Sequence, residues 1–119
     1  MADRFGEWMK GYLKAWHSND PADITPLFTE DARYLPTPFS PPWVGPEKIA
    51  REWIDRKDEP GGWEFDYDVI ARDGDVTIVK GTTRYTKPEK IDYANLWAVT
   101  LDADGRCSEF TEWWMEIKN

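Results

Sequence analysis

Residues 91–118, IDYANLWAVTLDADGRCSEFTEWWMEIK, decide the fold. Two runs rich in β-branched and aromatic residues, neither containing proline, flank Asp102-Ala103-Asp104-Gly105. That pattern reads as a hairpin, with Gly105 free to take the left-handed conformation that closes the turn. With those four residues as the loop, Leu101 faces Arg106. The register then sets Trp97 opposite Phe110, Asn95 opposite Glu112 and Tyr93 opposite Trp114. Alternation puts these six side chains on one sheet face. An aromatic face with an amide and a carboxylate opposed in its middle reads as the wall of a small-molecule pocket.

The rest of the chain can be read as closing that pocket. Upstream, Val76 to Thr86 predicts a strand whose alternate sets are Thr77, Val79, Gly81, Thr83, Tyr85 and Val76, Ile78, Lys80, Thr82, Arg84. Before it, Trp63, Phe65, Tyr67 and Val69 alternate with Glu64, Asp66 and Asp68, the pattern of a strand with one buried and one solvated face. The eleven residues PTPFSPPWVGP, 36–46, hold five prolines. That density excludes helix and central strand, so they form an ordered extended loop with Phe39 and Trp43 as anchors. Pro46 to Lys57 reads as a helix burying Ile49 and Trp53. In residues 3–17, Phe5, Trp8, Met9, Tyr12, Leu13 and Trp16 recur at helical spacing. Asp20-Pro21 opens a short second helix, with Asp as cap and Pro in its first turn, and Ile24, Leu27 and Phe28 as its buried edge. Thr29-Glu30-Asp31 is a turn into a strand from Ala32 to Leu35. Helices first and antiparallel strands after give an α+β domain with helices on one sheet face. The opposite face still carries Leu96, Trp113, Met115 and Ile78, and an uncovered apolar face predicts a homodimer through that outer surface.

Composition narrows the function classes. The 119 residues make one domain, 1–119, with eight Trp, five Tyr and five Phe. A net charge of −8 argues against nucleic acid and anionic membrane as partners. Cys107 is the only cysteine, which suits a reducing, cytoplasmic setting. No apolar run approaches the length of a membrane span, and no secretory leader is expected.

Five segments agree in order and spacing with a known family: Tyr12-Leu13-Lys14-Ala15-Trp16; Leu27-Phe28-Thr29-Glu30-Asp31-Ala32; Pro42-Trp43-Val44-Gly45-Pro46 with Ile49; Asn95-Leu96-Trp97; and Leu101 to Arg106 followed by Trp113-Trp114. The chain resembles the nuclear transport factor 2-like superfamily, and more narrowly its SnoaL-like branch of polyketide cyclases and ketosteroid isomerase relatives. The resemblance implies a cone-shaped α+β fold, three N-terminal helices packed on the concave face of a curved, mostly antiparallel sheet. It also turns the face bearing Phe110, Glu112 and Trp114 toward a cavity. In the isomerase branch a tyrosine, an aspartate base and a protonated aspartate carry the chemistry. Tyr12 matches the tyrosine, but the base falls on Pro36 and the second acid on Trp97, so steroid isomerisation by that route is not expected.

Glu112 is the leading acid/base candidate, since a carboxylate among aromatic walls loses hydration and gains affinity for its proton. Tyr12 and Asn95 are its hydrogen-bonding companions. Trp16, Trp53, Tyr93, Trp97, Phe110 and Trp114 are the candidate ligand-binding walls. The same residues also suit a filled core with Glu112 in a packing network, and a bulky Trp97 favours a reduced pocket. His17, at the end of the first helix, complements its dipole. With one histidine and no acidic cluster of ligand spacing, no metal or other cofactor is expected. The function expected is binding of a small apolar organic molecule, with cofactor-independent isomerase, cyclase or dehydratase chemistry on Glu112 or, alternatively, a non-enzymatic binding or dimerisation module.

Overall fold

The computed structural model describes residues 3–59 and 61–118. The chain runs α1 (Arg4–Ser18), α2 (Pro21–Ile24), a 3-10 turn (Thr25–Leu27), β1 (Phe28–Leu35), β2 (Trp43–Val44), α3 (Pro46–Asp55), β3 (Trp63–Asp73), β4 (Val76–Tyr85), β5 (Ile91–Leu101) and β6 (Cys107–Glu116). It is an α+β fold with one six-stranded sheet in the order β2-β1-β6-β5-β4-β3. Every pairing is antiparallel except β1 with β6.

The helices begin and end where local chemistry dictates. The Asp3 carboxylate accepts from the Phe5 amide to cap α1, and Asn19 ends it with φ +52°. The Asp20 carboxylate caps α2 ahead of Pro21, as the sequence predicts. The stripe of α1 buries Phe5, Trp8, Met9 and Tyr12, with Trp8 6.3 Å from Phe110 and Tyr12 5.0 Å from Trp97 between ring centroids. Burial of that stripe, rather than intrinsic propensity, stabilises a helix containing Gly6 and Gly11.

The hairpin differs from expectation in register. Asp102 N–H donates to the Arg106 carbonyl, so the loop is Ala103-Asp104-Gly105, with Gly105 at φ +81°, and Leu101 faces Cys107. A bulge follows, because the next pair is Thr100 with Glu109. Trp97 therefore faces Glu112, Asn95 faces Trp114 and Tyr93 faces Glu116. Each one-residue slip alone exchanges the sheet faces. Two together restore them, so the six expected side chains still share a face.

Three further expectations change. Thr29-Glu30-Asp31 belongs to β1 rather than a turn. Phe39 is 88% exposed and anchors nothing, whereas Trp43 stacks on Tyr34 at 5.0 Å and starts the edge strand β2. On β3 only Trp63 is buried. Phe65 is partly covered, and Tyr67 and Val69 are exposed, because this edge strand runs out beyond the side chains that pack over its neighbours.

Candidate functional site

The end of the sheet nearest α3 opens into a cavity of about 580 Å³. Tyr12 and Trp16 reach it from α1, Tyr34 and Pro36 from β1 and the residue after it, Trp53 from α3, and Asn95, Trp97, Glu112 and Trp114 from the hairpin. Tyr93 lines it as well. Of the nine expected site residues, eight therefore meet here. Phe110 does not. It is fully buried beneath the wall, stacked 4.5 Å from Tyr34, and serves the core. Trp114 is 53% exposed and stands at the rim.

Glu112 is held on one side only. Its Oε2 accepts from Asn95 Nδ2 at 2.6 Å and from Trp97 Nε1 at 3.1 Å. Asn95 is oriented in turn by the Thr83 hydroxyl, which donates to Oδ1 at 2.8 Å. These donors come from adjacent strands, and the register slip makes the Asn95–Glu112 contact diagonal rather than directly opposed. No donor among the described residues reaches Oε1. Among the described residues, the one fully enclosed side-chain polar atom without a partner is Trp63 Nε1, so Oε1 is open to the cavity. Burial raises the Glu112 pKa from 4.5 to about 7. The two donors to Oε2 oppose the shift, and the nearby Asp58 adds to it. A carboxyl in that state can give or take a proton at neutral pH.

Tyr12 does not bond Glu112. Its hydroxyl pairs with that of Tyr34 at 3.0 Å, and burial holds both phenols well above the ordinary tyrosine value, so both remain hydroxyls. Sequence reasoning missed Tyr34, Thr83, Tyr85 and Asp58. Asp58 Oδ2 accepts from Trp16 Nε1 at 2.8 Å and from the Tyr85 hydroxyl at 2.9 Å. These ties span 42 and 27 residues, and no local pattern announces them. Trp53 contributes differently: its indole donates to Asn19 Oδ1, binding α3 to the end of α1. Cys107 is buried away from the cavity lining, its thiol pushed up to about 12. Among the described residues no group of three or more His, Cys, Asp or Glu is placed to hold a metal ion, and no helix is long and apolar enough to cross a membrane.

Residues 9–110 match the family described as a SnoaL-like domain. No curated protein sequence matches the chain. Among solved structures, it is similar to an LEH-like epoxide hydrolase of M. tuberculosis, at 17% identity and TM-score 0.72, covering 92% of this chain and 80% of that one. An NTF-2 like protein of unknown function from Burkholderia xenovorans LB400 gives 12% and 0.74, covering 98% and 86%. A putative ketosteroid isomerase from Kribbella flavida DSM 17836 gives 18% and 0.69, covering 95% and 78%. At these identities the likeness is one of fold.

Proposed function

We propose, for a chain that belongs to the SnoaL-like domain family, that its cavity binds a small, largely apolar organic molecule and that Glu112 is the acid/base of a cofactor-independent proton transfer. One observation carries the reading: Glu112 has one oxygen clamped by Asn95 and Trp97 and the other open to the cavity. The clamp orients the carboxyl, and the open oxygen is the proton-transfer atom. In its neutral form it protonates a substrate oxygen; in its ionised form it takes a proton from carbon or water. The Tyr12–Tyr34 pair supplies a hydroxyl donor for a carbonyl or developing alkoxide. Trp16, Trp53, Tyr93, Trp97 and Trp114 supply the walls. Structural neighbours named an epoxide hydrolase and a putative ketosteroid isomerase support acid–base chemistry, since both reaction types move protons.

In this reading the three helices cover the concave face of a curved sheet. The outer face, with Trp113 at 43% and Met115 at 72% exposure, forms a homodimer. A lone, buried, unpaired Cys107 suits the reducing cytoplasm.

A second reading has its own support. The same two donors to Oε2 would also satisfy a purely structural carboxylate in a non-enzymatic binding module. Glu112→Gln separates the two, because its amide oxygen still accepts from Asn95 and Trp97 while its proton chemistry is gone. On a panel of β,γ-unsaturated ketones, epoxides and β-hydroxy ketones, the enzyme reading expects turnover lost and binding, read by tryptophan fluorescence, retained. Turnover that survives the substitution dismisses Glu112 as the base.

A further inference from the structure

We propose that the molecule taken by this cavity carries an ammonium group, and that Asp58 binds it. The inference rests on the cavity being the ligand site and names the chemistry of its ligand. Asp58 follows α3 in a turn that is firmly held. Asn19 Nδ2 donates to its carbonyl at 3.2 Å, while Trp16 and Tyr85 fasten Oδ2. Oδ1 has no donor among the described residues and, like Glu112 Oε1, is not fully enclosed. Both carboxylates thus share one design: an indole N–H and a second donor on one oxygen, the other left to the cavity.

Among the described residues, Asp58 also has no ion-pair partner. Among the described residues, three cations line the cavity, Arg56, Lys57 and Lys87. Arg56 is engaged by Glu52 at 2.5 Å and lies over the Trp43 ring at 5.2 Å. Among the described residues, no ion pair joins Lys57 or Lys87 to Asp58. A partly buried carboxylate without a counter-ion is costly, and a bound cation offsets that cost. The surroundings suit an organic cation rather than a hydrated metal ion. The two rings that bond Asp58 belong to Trp16 and Tyr85. Tyr93 meets Tyr85 edge-on at 5.7 Å, and Trp114 meets Tyr93 at 5.6 Å. Aromatic surface therefore runs from Asp58 along the mouth, where ring faces attract alkylammonium groups. The net charge of −8 adds long-range attraction for cations. With the ammonium seated at Asp58, the apolar body extends toward Trp97 and Glu112.

The test compares three probes of like shape, phenethylammonium, phenethyl alcohol and phenylacetate, by calorimetry and tryptophan fluorescence above neutral pH at low salt. The ammonium should bind roughly tenfold more tightly than the alcohol. Asp58→Asn, which can still accept from both rings through its amide oxygen, should bring the two within about twofold. Near-UV circular dichroism checks that the variant folds, and the native comparison needs no variant. Equal affinity for the ammonium and the alcohol overturns the inference while leaving the cavity a ligand site. Tightest binding of phenylacetate overturns it in favour of Lys57 and Lys87. An ammonium preference that persists in Asp58→Asn removes Asp58 from the role. Absence of binding by all three probes overturns the inference and the ligand-site reading together.

Discussion

Replacing Glu112 with glutamine should make the protein more stable, and increasingly so as pH rises. The fold moves this carboxyl from 4.5 to about 7. Below 4.5 the group is protonated both in the fold and in the unfolded chain, so it contributes no difference. Between 4.5 and 7 the unfolded chain releases a proton that the fold retains, and the native state loses stability with each step. Above 7 the loss is complete, on the order of 3 kcal/mol. Glutamine does not titrate, yet offers Asn95 and Trp97 the same acceptor. The stability gap between Glu112→Gln and the native protein should therefore widen by about 2–3 kcal/mol between about pH 5 and about pH 8. Equilibrium urea unfolding followed by tryptophan fluorescence measures it directly. A gap that stays flat with pH would show that Glu112 ionises in the fold as freely as in solution, and the argument from its burial would fail.

Trp97→Phe keeps a ring against Phe65, with which Trp97 stacks at 4.9 Å, but removes one donor to the Glu112 carboxylate. It should raise the Glu112 midpoint by roughly one pH unit, and an unchanged midpoint in a carboxyl NMR titration would remove the indole from the clamp. Gly81→Ala would bring a methyl within 2.5 Å of Phe65 Cζ and 3.1 Å of the Asp66 carbonyl oxygen, which should cost about 1–3 kcal/mol in urea unfolding; a neutral result would mean the β3–β4 ribbon yields freely. The outer sheet face predicts a dimer by light scattering at micromolar concentration, and Met115→Lys should shift it toward monomer; a native monomer contradicts the interface.

The parts of this molecule that depend on near neighbours were legible in its residues. The aromatic stripe of α1, the Asp20-Pro21 start of α2, the two alternating sets of β4 and the Gly105 turn all follow from periodicity or from one residue's backbone preference. Part of what failed was local: a loop of three residues in place of four, and a bulge between Thr100 and Leu101, each slip the register by one, so the sequence pattern gives the correct faces and the wrong partners. The rest was set at a distance. Tyr67 and Val69 alternate as if buried, but alternation does not record how far the cover extends over a sheet. Phe39 is apolar among prolines, yet no element packs over it. At the site, Glu112, Asn95 and Trp97 sit on neighbouring strands and could be placed together from the hairpin alone. Asp58 could not, because its meaning comes from Trp16 and Tyr85, whose rings converge on it only in the folded chain.

The proposed chemistry requires Glu112 to be a proton carrier open to the cavity near neutral pH. Carboxyl carbon shifts of the native protein, followed through a pH titration and assigned by comparison with Glu112→Gln, test that claim most directly. The expected midpoint lies near the value of about 7 that burial imposes. A midpoint at or below 4.5, the ordinary glutamate value, would mean a solvated or fully satisfied carboxylate and would contradict it.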